Sequence, residues 1–205
     1  VDYARKGDAV DLPGTYKFGV WYHTEKFADV RTGTDGLFLA DPSSNGIAQT
    51  HDGNYGLYGV VDQMLWHTAD NKDHGVAGFV RGLWNPSDRN TLDGQIDAGI
   101  NVIGMVPGRE EDVFGVAFSY LPVSDHTAAF DRDTNNFNAT NAPVRDYESQ
   151  IEVTYQAPIT PWLTVQPDFQ YIIHPGGNVA EPRDRGGIKP IDDAAIIGIR
   201  LVAKF

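Results

Sequence analysis

The chain has 205 residues, 16 Lys and Arg against 28 Asp and Glu, a formal net charge of -12 and no cysteine. That balance repels phosphate backbones and sets nucleic acid aside as a partner, and the missing cysteine excludes a disulfide framework and a thiolate metal site. No apolar run reaches the roughly 18 residues of a transmembrane helix, a limit that does not touch strands with only one greasy face.

In chain order, Val1-Asp2-Tyr3-Ala4 reads as the tail of a strand and Arg5 to Gly14 as a turn-like stretch, so the chain is expected to start inside an element of a longer protein. Tyr16, Phe18, Val20 and Tyr22 then alternate with polar or small residues, the period-two mark of a strand with two unlike faces. Tyr55 to Trp66 is the next strand, its alternation slipping near Asp62-Gln63 as at a bulge. Val76 to Trp84 sets Arg81 opposite Val76, Val80 and Trp84. Leu92 to Val102 is the cleanest: Ile96, Ala98, Ile100 and Val102 oppose Asp93, Gln95, Asp97 and Asn101. In Val113 to Leu121, Phe114, Val116, Phe118 and Tyr120 oppose Gly115, Ala117 and Ser119. Tyr147 to Ala157 sets Ile151, Val153 and Tyr155 against Glu148, Gln150, Glu152, Thr154 and Gln156. Leu163 to Ile173 opposes Val165, Phe169 and Tyr171 to Gln166, Asp168 and Gln170. The last strand carries Ala195, Ile197, Ile199, Leu201, Ala203 and Phe205 on one face and Arg200 on the other. This predicts about eight strands of roughly 9–12 residues, the length of a tilted membrane strand rather than a soluble one. No segment has a helical period.

The links alternate in length. Glu25 to Asp52, Pro122 to Arg145 and His174 to Ile191 are long, whereas His67 to Gly75, Met105 to Asp112 and Pro158 to Trp162 are short. Barrels with long outer loops and short inner turns show that rhythm, and Asn85 to Thr91 breaks it as a short link on the long side.

An alternating sheet is either a soluble sandwich with its apolar face inward or a membrane barrel with that face on lipid. The polar faces are dense in Asp, Glu, Gln and Asn, which suits a wet bore. Aromatic residues gather near strand ends at Tyr16, Trp21, Tyr22, Tyr55, Trp66, Trp84, Tyr120, Tyr147 and Trp162, as in interfacial girdles. The terminal Phe205 closes an amphipathic strand and resembles the assembly signal of outer-membrane proteins, an exposed strand end for insertion machinery to pair with. The expected fold is an all-β antiparallel transmembrane barrel.

Three stretches carry a family resemblance: Leu12-Pro13-Gly14-Thr15-Tyr16-Lys17-Phe18-Gly19-Val20-Trp21-Tyr22-His23-Thr24, then Gly53-Asn54-Tyr55-Gly56-Leu57-Tyr58 with Val61-Asp62-Gln63-Met64, and above all Glu152 to Ala157 running through Ile159-Thr160-Pro161-Trp162-Leu163-Thr164-Val165-Gln166-Pro167-Asp168 to Gln170-Tyr171-Ile172-Ile173-His174-Pro175-Gly176-Gly177. They resemble the carbohydrate-selective porins of the OprB type over nearly the whole chain. The resemblance implies a barrel of about sixteen strands, of which residues 1–205 are the C-terminal half of a single domain, and passive diffusion of glucose and similar sugars into the periplasm. Small sugars, outer-membrane lipid and the barrel assembly machinery are the implied partners, with oligomerisation left open. Pore-lining or sugar-binding candidates are Arg81, Asp93, Gln95, Asp97, Asn101, Glu148, Gln150, Glu152, Asp168, Gln170 and Arg200, with Trp21 and Phe79 in polar-face register.

Rival sites carry less. Asp131, Asp133 and Asn135 are spaced like the start of a calcium loop, but Asn136 and Ala142 stand where Gly and Glu belong, so the stretch reads as an acidic surface loop. No nucleophile elbow, HExxH or phosphate loop occurs, Ser124 and His126 fall in a loop, and the Asn138-Ala139-Thr140 triplet is incidental. The expectation is no enzyme, no cofactor and no metal. The alternative function is a surface-exposed binding or adhesion barrel whose long loops do the work.

Overall fold

Alternation makes the backbone extended wherever one face can be wet and the other dry, and the computed structural model is built from such strands. It describes residues 2–7 and 10–204, with side chains from 12 to 204. The strands are β1 (Asp2–Gly7), β2 (Val10–Gly33), β3 (Ala48–His67), β4 (Gly75–Trp84), β5 (Gly94–Ile103), β6 (Val113–Pro122), β7 (Tyr147–Thr160), β8 (Leu163–Ile173) and β9 (Ala194–Ala203). A helix, α1 (Asp125–Asn138), lies between β6 and β7, and a single turn, α2 (Pro175–Asn178), follows β8. Every strand pairs antiparallel with the next in sequence, giving one nine-stranded meander among the described residues.

The predicted strands are all present; several have longer ends, whereas β5 begins at Gly94 rather than Leu92, β8 keeps its expected bounds and β9 is a strand through Ala203. Of the stretch read as turn-like from Arg5 to Gly14, residues 5–7 and 10–14 are strand: the β1–β2 ladder runs from Asp2 opposite Thr15 to Gly7 opposite Val10. The link expected from Glu25 to Asp52 is largely ladder too, since β2 and β3 continue through Lys26–Asp52 and Phe27–His51 to Gly33–Ala48. Polar and apolar residues mix on both faces there, so alternation fades where hydrogen bonding still holds the pair. A register irregularity between Met64 and Trp66 fits the slip read near Asp62-Gln63. Beside it Gln63 sits in the apolar row, its Nε2 donating to the carbonyls of Leu12, Pro13 and Met64 while its Oε1 accepts from Tyr16. A polar side chain on that face is tolerable only when satisfied in this way.

The helix corrects the reading of Pro122 to Arg145 as an acidic loop without helical period. Ser124, wholly buried, caps α1 by accepting from the Thr127 N–H at 3.2 Å, and Ala139 ends it at φ 51°. Its residues are polar nearly all round, which hides a helix from a periodicity search. Calcium-like spacing has no meaning there, because side chains two apart on a helix diverge by about 200°. Asp131 turns to Arg145 at 2.7 and 2.8 Å, and Asp133 to Arg31 at 2.7 and 3.2 Å. By the second contact α1 reaches back past the ends of β5, β4 and β3 to pack on β2.

The decisive feature is what the sheet does not bury. Among the described residues the only buried hydrophobic side chains are Val123, Ala128 and Ala157. The aliphatic face lies open, with Phe18 78% and Ile197 83% exposed. A sandwich would cover that face with a second sheet; a contiguous apolar surface of this extent needs lipid. Rings mark its two borders: Tyr22, Tyr55, Trp84, Tyr120 and Tyr147 toward the long links, and Tyr16, Trp66 and Trp162 toward the short turns. Tyr55 and Trp84 approach to 6.2 Å, and Tyr120 and Tyr147 to 5.3 Å. Trp21 is not in the girdle; it faces the polar side opposite Gly56. Phe205 lies outside the described residues.

Candidate functional site

Residues directly opposite one another in an antiparallel ladder point to the same face, so the register assembles the polar side into rows. One row runs Lys17, Val60, Arg81, Asp97, Ser119, Gln150, Ile172, Ala194. The next runs Thr15, Asp62, Phe79, Gly99, Ala117, Glu152, Gln170, Ile196. A third runs Met64, Ala77, Asn101, Gly115, Thr154, Asp168, Gly198. Together they make a belt of donors and acceptors at mid-strand.

The belt gathers seven of the eleven candidates: Arg81, Asp97 and Gln150; Glu152 and Gln170; Asn101 and Asp168. Gln95 stands one step above Asp97 on the same face and donates to both its oxygens at 2.9 Å. Ser119 donates to Asp97 Oδ1 from the other side. Gln150 donates to Glu152 at 3.2 Å and Gln170 to Asp168 at 3.4 Å, so each carboxylate is oriented by an amide on its own strand. The guanidinium of Arg81 lies 4.7 Å above the Phe79 ring and 3.8 Å from Asp62.

Three candidates stand apart. Asp93 precedes β5 at the rim, where burial lifts its carboxyl above the ordinary range and the charge of Asp125 adds to the lift. Glu148 lies on the polar face of β7 above the belt and accepts the Gly176 N–H at 2.6 Å through one carboxylate oxygen, where α2 turns with a positive φ of 72°. Arg200 sits opposite Gln166, one step below the belt on β9. Asp62, Ser119, Thr154 and Tyr58 belong to the same wall and escape a strand-by-strand reading. Only the register shows that Ser119 serves Asp97.

On this face bulky rings lie on glycines of the neighbouring strand: Tyr58 on Gly19, Trp21 on Gly56 and Phe79 on Gly99, where a Cβ on Gly99 would stand 2.6 Å from the Phe79 ring.

The rim is tied down by ions. Arg89 donates to Asp88 at 2.8 and 3.0 Å and to the Gly53 carbonyl at 2.8 Å, and the Val30 N–H donates to the Asp88 carbonyl at 2.8 Å. His51 stands 2.8 Å from Asp29 and 3.7 Å from Asp88. The side chains of Asn54 and Asn90 exchange hydrogen bonds at 2.8 and 3.1 Å. The Arg89 hydrogen bonds hold the Asp88 carboxyl below its ordinary range despite its burial, and His51 assists. The short link 85–93 is thus a clasp that folds onto the ends of β2 and β3.

The comparisons agree with this geometry. The family model for the carbohydrate-selective porin, OprB family, matches residues 1–205. The chain is 27% identical over 211 residues to Porin B of Pseudomonas aeruginosa, covering 98% of this chain and 43% of that protein. It is 23% identical over 203 residues to a protein of Acinetobacter baylyi that bears the name "Putative porin QuiX", covering 95% of this chain and 41% of that one. A high-pH structure of OprB from Pseudomonas putida superposes with a TM-score of 0.85 at 24% identity, over 100% of this chain and 47% of its own. The chain therefore spans less than half the length of these relatives. An uncovered apolar face, a polar belt on the reverse of the same strands and a family match over every residue lead to one assignment: the chain belongs to the carbohydrate-selective porin, OprB family, of the outer membrane.

Proposed function

We propose that the chain supplies part of the wall of a passive, carbohydrate-selective pore, residues 1–205 being the C-terminal half of a single barrel domain of about sixteen strands. The observation that carries this reading is the belt, where carboxylates, amides and a guanidinium line one face of strands whose other face is dry. A neutral sugar loses water to enter a narrow bore, and alternating donors and acceptors replace that water without gripping the solute. Glucose and similar sugars are the solutes, lipid contacts the aliphatic face, and the barrel assembly machinery inserts the strands. The match to a porin family over every residue supports a channel over an enzyme.

The rival reading, an adhesion barrel, needs loops that project. Here the clasp and α1 fold back onto the rim through Arg89 and Arg31, which favours a channel mouth. The test is planar-bilayer conductance of the full-length protein. Steady ion current that glucose lowers in a saturable way supports the pore, and no current at all refutes it.

A further inference from the structure

Arg81 and Asp97 stand directly opposite each other on β4 and β5, facing the same side, yet they do not pair. Arg81 is drawn the other way, over Phe79 and toward Asp62. Its contact with Asp62, at 3.8 Å, is a loose ion pair, so its five N–H donors remain largely unspent. Asp97 is held instead by Gln95 and Ser119. Its Oδ1 accepts from both, whereas Oδ2 accepts only from the Gln95 amide, which leaves acceptor capacity on the side of the bore. Two recesses meet at this carboxylate. One is lined by Tyr58, Val60, Arg81, Leu83, Gln95 and Asp97. The other is lined by Asp97, Ala117, Ser119, Gln150 and Glu152.

We propose that Arg81 and Asp97 are kept apart so that one sugar ring is bound between them, and that Asp97 is shared with a second ring seated against Gln150 and Glu152. This rests on the pore reading above. Adjacent hydroxyls of a pyranose need a donor on one side and an acceptor on the other, and the divided pair offers both. Tyr58 adds an apolar edge for the C–H face of the ring. From Arg81 to Gln150 is three strand spacings, roughly 14 Å, room for two rings side by side. A solute moving along this row passes from one ring site to the next without losing Asp97, so capture and release stay rapid. Gln95 and Ser119 are positioning residues, which fix the carboxylate without touching the sugar through a charge.

The experiment is current block by glucose and maltose in planar bilayers with the full-length porin, reading half-blocking concentration and the off-rate from current noise. Asp97→Asn keeps the shape and should raise the half-blocking concentration of both sugars about tenfold, more than Arg81→Gln or Gln150→Leu does for maltose. Ser119→Ala changes no charge and should raise it about three- to tenfold through a faster off-rate, with Ser119→Thr restoring it. If glucose and maltose block the native channel but Asp97→Asn and Ser119→Ala stay within twofold of it, the shared site is wrong and the pore reading survives. If neither sugar blocks the native channel, both fall.

Discussion

Arg31 on β2 and Asp133 on α1 meet in a two-pronged hydrogen bond of 2.7 and 3.2 Å across 102 residues of sequence. It is the contact that returns α1 to the far side of the rim, and both side chains are less than a third exposed. The double cycle of Arg31→Met and Asp133→Asn should give a coupling of about 1–3 kcal/mol, above that of a surface ion pair. Either single variant should speed deuterium exchange in 125–138 and raise single-channel conductance as the helix loosens over the mouth. Unchanged exchange in that segment would show that α1 is held elsewhere.

Asp93 predicts a pH dependence of defined sign. Burial raises its folded carboxyl above the unfolded value of about 3.9, so ionisation costs stability at every pH above the folded value. Asp93→Asn should therefore raise the melting temperature at pH 7, and the gain should vanish as pH falls below about 4. Asp88 has the opposite sign. Its carboxyl is lowered by Arg89, so the clasp gains stability above about pH 4 and loses it as pH falls through the lowered value. Asp88→Asn should lower the melting temperature at pH 7 and narrow the difference in acid. Thermal unfolding in detergent across pH 3 to 7 of the two variants, read side by side, checks both signs.

The dry face makes a third claim. Ile199 lies mid-way along β9 and is 70% exposed. Ile199→Arg should cost about 2–4 kcal/mol in folding into lipid vesicles. Thr154→Arg, on the belt, should cost far less and shift ion selectivity toward anions. Equal costs for the two would mean that the faces have been assigned the wrong way round.

How much of this a reader of the sequence sees follows from what sets each feature. The faces are legible because lipid and water impose opposite demands on alternate residues, and every belt residue from Gln95 to Gln170 lies on the side that alternation assigns. The partners are not. They depend on register, which turn length and irregularities such as those at Met64–Trp66 and Pro158–Thr160 decide. Hence Asp97 is visible as a candidate whereas its dependence on Ser119 is not, and the bond from the Gly176 N–H to Glu148 is equally hidden. The helix is hidden for another reason. With both sides of α1 bound by arginines, it needs no apolar stripe, and stripes are what a sequence search detects.

Overpacking supplies a fourth claim. Gly99→Leu should destabilise the sheet by about 1–3 kcal/mol because the Phe79 ring occupies the space a side chain would take. Gly99→Leu combined with Phe79→Ala should recover only part of the loss, because the Val116 carbonyl oxygen still stands 2.7 Å from the new Cβ. Denaturant unfolding from vesicles measures both, and a Gly99→Leu protein as stable as the parent would show that the ring moves aside freely.

The rings seated on glycines also constrain how this wall can change over generations. At Gly19 the three nearest atoms a new Cβ would meet all belong to the Tyr58 ring, so change there must begin with the ring, whose shrinkage opens the glycine to new side chains. At Gly56 and Gly99 a backbone carbonyl oxygen, of Trp84 and of Val116, also stands 2.7 Å from the new Cβ, so losing the ring does not free the position. Among relatives, a large residue at position 19 should then appear only in chains that have already given up the aromatic at 58, whereas 56 and 99 should stay glycine.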